Sequence, residues 1–258
     1  MRLRQLCSRR QVRAIAYKCD LDNANAWLAE LLTFHDAAGL AILDETAKDL
    51  DCLKGSYGYS IRGTTCSAHD QFLSPASVRV SALVLHTLDE GFLDWAFTQG
   101  TFNKDYFIHV TTERFQDWRG GVRAPMLVRF RTFPYHIFPC TLLHCFHSQR
   151  SQTSHFFSHK RRTKITCVLL DNASIHHSQE FVHRCGRLGV DVRYIPPYCH
   201  FLSTLDNGAF GALVQWLQHH YETVQLLGVE AALEAAFHAL NGDGGRLARR
   251  CFANCRYI

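Results

Sequence analysis

The sequence lacks any apolar run that approaches the roughly 20 residues needed to cross a lipid bilayer. No apolar segment of the kind that directs secretion stands near Met1. The 11 cysteines are odd in number, and none of them forms a CxxC pair. These absences argue against a membrane protein and against a disulfide-rich secreted protein. We therefore expect a soluble protein with reduced thiols inside the cell.

Acidic residues are missing from the first 18 positions, where six basic residues accumulate. Such a basic arm suits a polyanionic partner, although its charge alone fits a solvated or frayed terminus equally well. The rest of the composition is that of a globular protein, with 47% hydrophobic and 20% charged residues. The arm's basic residues are Arg2, Arg4, Arg9, Arg10, Arg13 and Lys18.

A second stretch without acidic residues, at 118–164, has neither helical nor strand periodicity and is rich in Arg, Phe, His and Cys. It is a DNA-gripping insertion, a disordered loop or translated intron sequence, and we favour the intron because the composition changes abruptly. We expect this basic insertion to be poorly structured. A zinc site there is a further option, but its spacing matches no standard pattern. The residues concerned are Cys140, His144, Cys145 and His147.

Alternating strand and helix patterns predict an α/β protein. The short apolar runs at 39–45 and 165–170 are typical of strands buried on both faces, and they end at Asp44 and Asp171. Further strands are predicted at 56–63, 78–88, 91–100 and 190–197, and helices at 20–34, at 104–118 after Asn103, at 178–189, from Asp206 to 224, and at 229–240.

Three acids carry the possible chemistry, because Asp44 and Asp171 end strands and Asp206 begins a helix. Adjacent parallel strands would place the first two side by side. Magnesium and similar hard cations favour carboxylate oxygens, and two such ions can activate a water and stabilise the leaving oxygen of a phosphodiester. Each acid alone has a simpler interpretation, since Asp often caps helices and turns at these places.

Two motifs favour the chemical interpretation. The segments DNASIHHS at 171–178 and YIPPYCHFLSTLD at 194–206 resemble the DDE superfamily endonuclease domain of mariner-like transposases, which reads approximately DNAxxH and then PPYSPxLNPIE. Asp206 takes the place of the final acid, and the 34 residues between Asp171 and Asp206 match the mariner spacing. LAILDET at 40–46 is similar to the family's first-acid strand, and GTFNKDYFIHV at 100–110 to the motif that opens its next helix.

The resemblance implies a ribonuclease H-like fold, a mixed sheet flanked by helices. It also implies DNA strand cleavage and strand transfer, with Asp44, Asp171 and Asp206 holding two Mg²⁺ or Mn²⁺ ions. The expected partners are transposon ends, target DNA and a second copy of the chain, in the nucleus of a eukaryote or otherwise inside the cell. Glu45, Asn172 and His176 are candidates for supporting roles, although consecutive strand residues face opposite ways, which turns Glu45 away from Asp44.

The resemblance divides the chain into a basic arm and lead-in helix at 1–35, an endonuclease domain at 36–242 and a C-terminal tail at 243–258. The helix-turn-helix units that read transposon ends in relatives are not seen, unless the arm is the stump of one. Several motif positions also differ from the family: Cys199, His200, Ser203, Thr204 and Val214.

Two other hypotheses stay open beside the active transposase. One is an inactive or domesticated relic that only binds DNA, and the other is an unrelated ribonuclease H-like nuclease. Retention of all three acids favours activity, whereas the missing amino-terminal units and the basic segment favour the relic. The DNAxxH and PPY motifs argue against the unrelated nuclease.

Overall fold

The computed structural model describes residues 18–53, 78–115 and 165–258. The predicted strand at 56–63, the basic arm before Lys18, and the segment 118–164 with its group of cysteines and histidines lie outside the described residues. The three interpretations of that segment therefore stay predictions.

A five-stranded mixed sheet forms the centre of the described structure, with the strand order β3-β2-β1-β4-β5. The strands β1, β2 and β3 pair antiparallel, whereas β1, β4 and β5 pair parallel. The predicted strands at 39–45, 78–88, 91–100, 165–170 and 190–197 are thereby confirmed. Their bounds are β1 Leu40–Lys48, β2 Val80–Thr87, β3 Gly91–Gln99, β4 Cys167–Leu170 and β5 Asp191–Tyr194.

Helices lie on both sides of this sheet, and α-helices are found in the predicted ranges 20–34, 104–118, 178–189 and 229–240. Asp20 accepts a hydrogen bond from Asn23 N at the start of α1, and Ser178 accepts one from Phe181 N at the start of α4. The α-helices are α1 Leu21–Phe34, α2 Leu50–Leu53, α3 Lys104–Phe115, α4 Gln179–Arg187, α5 Phe210–His219, α6 Tyr221–Leu227, α7 Val229–Asn241 and α8 Arg246–Asn254.

Strand alternation divides the core between the two faces of the sheet. Leu40, Ile42 and Leu169 pack in one buried cluster with residues of α1 and of α5 to α8. Leu43 and Leu170 pack in the other with residues of α3 and α4. A side chain's parity along β1 or β4 therefore decides which set of helices it meets.

The chain after Asp206 differs from the single helix that the sequence predicts. It begins with a distorted turn, Leu205–Ala209, in which Gly208 has a φ of 151°, a value that favours glycine. The apolar face predicted to run on to Val224 is also divided, because α5 ends at His219 and α6 begins at Tyr221.

The segment 243–258, expected to be a tail, contains α8. The side chains of Leu247, Cys251 and Phe252 on this helix are buried in the same core cluster as α5 and α7. Its packing makes the helix part of the domain core. In the ranges that the structure describes, no helix is long and apolar enough to cross a membrane.

Candidate active site

Asp44 lies within β1, and the expectation that it ends the strand is wrong. The strand continues to Lys48 because β2 pairs with it along Ala41 to Lys48. The parallel pairing with β4, however, stops at the pair Leu43 and Leu170. Asp44 therefore stands one residue beyond the end of the parallel ladder, with its backbone paired on the β2 side, and the residue as a whole is 9% exposed.

Asp171 follows the last residue of β4, directly after the partner of Leu43. The two aspartates are thus the next residues after the last parallel pair. Each comes two residues after a side chain, Ile42 or Leu169, that faces α5 to α8, so strand alternation places both on that face of the sheet. The Oδ1 atom of Asp171 accepts a hydrogen bond from Ala173 N at 3.0 Å. This turn starts the DNASIH segment and holds the carboxylate at the carboxyl edge of the sheet.

Asp206 lies in the distorted turn Leu205–Ala209, and its surroundings fix that turn on the α5 to α8 side. Asp206 N donates to Ser203 Oγ at 3.3 Å, and Asn207 Nδ2 donates to the Phe201 carbonyl at 2.8 Å. The Tyr257 hydroxyl donates to the Leu202 carbonyl at 2.7 Å. The third acid therefore has a well-bonded support, although it does not begin a regular helix.

Neighbouring aspartates raise the pKa of two of the three carboxylates, Asp44 and Asp206. Burial raises the pKa of Asp44 well above its ordinary value, and the charges of Asp206 and Asp171 raise it further. Burial also raises the pKa of Asp206, where the charge of Asp171 adds to the rise and His200 opposes it. Mutual repulsion of this kind is what a divalent cation would relieve, so the donor set fits Mg²⁺ or Mn²⁺.

The aspartates do not form the tightest group of possible metal ligands. Within residues 18–53, 78–115 and 165–258, only His35, Cys167 and Asp191 bring three possible ligand atoms within 4.8 Å of one another. Asp44, Asp171 and Asp206 therefore do not bring one ligand atom each within that distance, and the number of ions they would hold stays a prediction.

His176 is fully buried between two carboxylates. Its Nε2 atom lies 3.0 Å from both carboxylate oxygens of Glu45, and its Nδ1 atom lies 2.5 Å from Asp171 Oδ1. The Nδ1 contact is that of an ion pair and not of a well-aligned hydrogen bond. Burial lowers the pKa of His176, but the contacts with Asp171 and Glu45 outweigh it and raise the pKa to about 10.

The contact with His176 lowers the pKa of Asp171, whereas the pKa values of Asp44 and Asp206 are raised. Burial raises the pKa of Asp171, but the contact with His176 and the Ala173 amide lower it more, so the net pKa falls below its ordinary value. An imidazolium at His176 thus keeps Asp171 ionised. Glu45 faces away from Asp44, as strand alternation predicts, and holds the far side of that imidazolium.

Asn172 is exposed, and its described contact is with a neighbour in the same turn. Asn172 Oδ1 lies 2.7 Å from His177 Nε2, and the His177 ring stacks on Tyr194 at 4.3 Å between ring centroids. The Tyr194 hydroxyl donates to the His176 carbonyl at 3.1 Å. Asn172 therefore helps shape the turn, whereas Glu45 and His176 touch the acids.

Sequence reasoning missed a support that lies behind Asp206. His86 on β2 is fully buried, its Nδ1 lies 2.8 Å from the Thr204 hydroxyl, and burial lowers its pKa to about 3. The contact between neutral His86 and the buried Thr204 hydroxyl thereby connects β2 to the loop that leads to Asp206, two residues after Thr204. A histidine inside the apolar run VLHT was the available signal, but its partner is 118 positions away.

Comparison with known proteins gives results for structure and none for sequence: no protein-family model and no curated protein matches the chain. The mariner Mos1 paired-end complex with Mg is similar over 99% of this chain and 66% of that chain, with a TM-score of 0.51 and 13% identity. A pre-cleavage Mos1 transpososome is similar over 97% of this chain and 68% of that chain, with a TM-score of 0.49 and 13% identity. The Mos1 catalytic domain is similar over 89% of this chain and 90% of that chain, with a TM-score of 0.41 and 12% identity.

The likeness to the paired-end complex establishes the fold. The five-stranded mixed sheet flanked by helices shares the ribonuclease H-like fold with the mariner Mos1 protein of that complex. The chain spans about two thirds of the length of the paired-end structure. At 13% identity the structural similarity shows a shared fold and does not show a shared activity, which depends on the residues of the site.

Proposed function

We propose that this chain contains the catalytic domain of a mariner-like DDE transposase, which cleaves DNA strands and transfers the freed ends. One observation carries the proposal. Three aspartates that are distant in sequence lie near the end of the parallel ladder, where the charges of Asp206 and Asp171 raise the pKa of Asp44 and the charge of Asp171 raises the pKa of Asp206. The order of the motifs around them and the fold both support the assignment.

Each part of the site has a task in this proposal. Asp44, Asp171 and Asp206 would hold two Mg²⁺ or Mn²⁺ ions, which would supply a nucleophilic water or hydroxyl and stabilise the leaving oxygen. His176 and Glu45 orient Asp171 and keep it ionised, and the bonded loop before Asp206 sets the third carboxylate. No covalent bond between protein and DNA is required.

The proposed partners are transposon-end and target DNA, with a second copy of the chain. Their support is the basic arm at 1–18 and the likeness in fold to the mariner Mos1 protein of a paired-end complex. Arginine and lysine contacts to phosphates release counterions, so the affinity for DNA should depend steeply on salt.

A nicking assay beside a salt titration tests the proposal. With Mn²⁺ or Mg²⁺ the full chain is expected to nick supercoiled DNA, and to lose that activity in a chelator. DNA affinity, measured without metal by fluorescence anisotropy, should fall by about 10-fold or more between low and physiological salt.

The outcome for the unmutated chain separates the two hypotheses. Salt-sensitive binding with no metal-dependent nicking would assign the chain to the DNA-binding relic. Nicking that continues undiminished in the chelator would contradict the metal-dependent mechanism itself.

A further inference from the structure

A second group of ligand-type side chains lies at the other end of the parallel strands. His35 follows α1, Cys167 begins β4 and Asp191 begins β5, and the strand register pairs Cys167 with Asp191. One possible ligand atom of each lies within 4.8 Å of the other two. Cys167 is four residues before Asp171 on one strand, about 13 Å at roughly 3.3 Å per residue. The group is therefore separate from the aspartates.

The contacts of His35 turn one ring nitrogen toward Asp191. Nδ1 lies 3.2 Å from the Thr166 hydroxyl, and that hydroxyl lies 3.4 Å from the Gly39 carbonyl. Nε2 lies 3.4 Å from Asp191 Oδ2. In the tautomer whose Nδ1–H donates to Thr166, the Nε2 lone pair faces the Asp191 carboxylate, and a divalent cation can bind both.

The donor types favour a metal ion of the zinc kind. A cysteine sulfur, an imidazole nitrogen and a carboxylate oxygen are the ligands of zinc, whereas Mg²⁺ takes oxygen ligands. A ligand histidine usually donates its other ring N–H to an acceptor, and the Thr166 hydroxyl, 3.2 Å from His35 Nδ1, stands where that acceptor belongs.

Neighbouring groups hold the carboxylate of Asp191 in place. Arg193 Nε donates to Asp191 Oδ2 at 2.8 Å, and Val192 N donates to Asp191 Oδ1 at 2.9 Å. Glu30 of α1 pairs with Arg193 at 3.0 Å and offsets its charge. Asp191 is thereby kept ionised, with its pKa below the ordinary value: burial raises the pKa, and the contacts with Arg193, His35 and Val192 N together lower it more.

We propose that His35, Cys167 and Asp191 bind one zinc-type divalent cation, with a fourth position left for water, and that the ion fastens α1 to the amino ends of β4 and β5. Burial, with the charge of Asp191, raises the pKa of the Cys167 thiol to about 12. Coordination therefore forms a metal–sulfur bond and releases one proton to solvent.

Cobalt titration of the full chain, freed of metal by a chelator, tests this site. Co²⁺ is expected to bind with a near-ultraviolet thiolate-to-cobalt absorption that saturates at one equivalent, and Zn²⁺ should remove the band. Cys167→Ser should lose the band. Cys185→Ser is the matched control, because Cys185 is also a buried thiol whose pKa burial raises to about 12. Asp171→Asn should keep the band, so the result is independent of the proposed nuclease.

His35→Gln provides a second variant if Cys167→Ser does not fold. His35 is partly exposed, so its replacement should leave the far-ultraviolet circular dichroism unchanged while Zn²⁺ affinity falls by about 10-fold or more. A folded unmutated chain without the thiolate band would overturn the proposal. A band that persists in folded Cys167→Ser, or Zn²⁺ affinity unchanged in His35→Gln, would likewise overturn the proposal.

Discussion

Replacement of Asp171 by asparagine is expected to reduce metal-dependent DNA nicking by about 100-fold or more. Loss of a group that only orients a metal ligand costs about 10- to 100-fold, and loss of a ligand should cost at least as much. Asparagine keeps the shape of the side chain but removes the charge that would offset a divalent cation. It also removes the carboxylate beside His176 Nδ1.

The measurement is the initial rate of plasmid nicking in Mn²⁺, with Asp22→Asn as the matched control because Asp22 is exposed in the first turn of α1. The control should nick like the unmutated chain. DNA affinity without metal should be nearly the same in all three proteins, since it depends on phosphate contacts. Nicking that persists in Asp171→Asn would rule out the proposed set of aspartates.

Substitution of His176 by glutamine is expected to lower the free energy of unfolding by about 3 kcal/mol near neutral pH. Removing one partner of a buried ion pair costs about 3–5 kcal/mol, and the lower end applies because Asp171 is 47% exposed. The change leaves the Glu45 carboxylate, which is 19% exposed, without its cation. Nicking should also fall, because Asp171 loses the contact that orients it.

The pH dependence gives this prediction a specific direction. Folding raises the pKa of His176 from 6.5 to about 10, so its stabilisation is fully present below about pH 6.5 and is lost as the pH rises through about 10. The slope from this one proton reaches at most about 1.4 kcal/mol per pH unit. The difference in stability between the unmutated chain and His176→Gln should therefore shrink across that window.

Urea unfolding at about pH 6 and about pH 10 measures that difference, since other titrating groups act on both proteins alike. His183→Gln is the control, because His183 is exposed on α4 and should change stability by less than about 0.5 kcal/mol. A His176→Gln difference that is the same at both pH values would show that His176 is not charged in the folded protein.

Features that depend on local sequence were predictable. Apolar runs marked β1 and β4, strand alternation turned Glu45 and Asp44 to opposite faces of the sheet, and Asn103, which accepts a hydrogen bond from Tyr106 N, marked the start of α3. Each of these follows from a pattern within a few residues. The same patterns placed two aspartates beside the end of the parallel ladder.

Features that depend on distant partners were not predictable. Asp44 lies inside β1 because β2 extends the pairing beyond the parallel ladder, which the run GLAILDE alone does not show. The raised pKa of His176 depends on Glu45 in β1 and on Asp171 directly after β4. The contact of His86 with Thr204 joins residues 118 positions apart. Helix α8 has an amphipathic pattern, but its burial depends on the core it meets.

Mn²⁺ binding tests most directly whether Asp44, Asp171 and Asp206 form one site for two ions. Electron paramagnetic resonance of free Mn²⁺ during titration counts the ions that the chain binds. We predict a pair of ions in the unmutated chain, and weaker or incomplete binding of that pair after each single change to asparagine. Binding of Mn²⁺ that stays the same in Asp44→Asn, Asp171→Asn and Asp206→Asn would contradict the site.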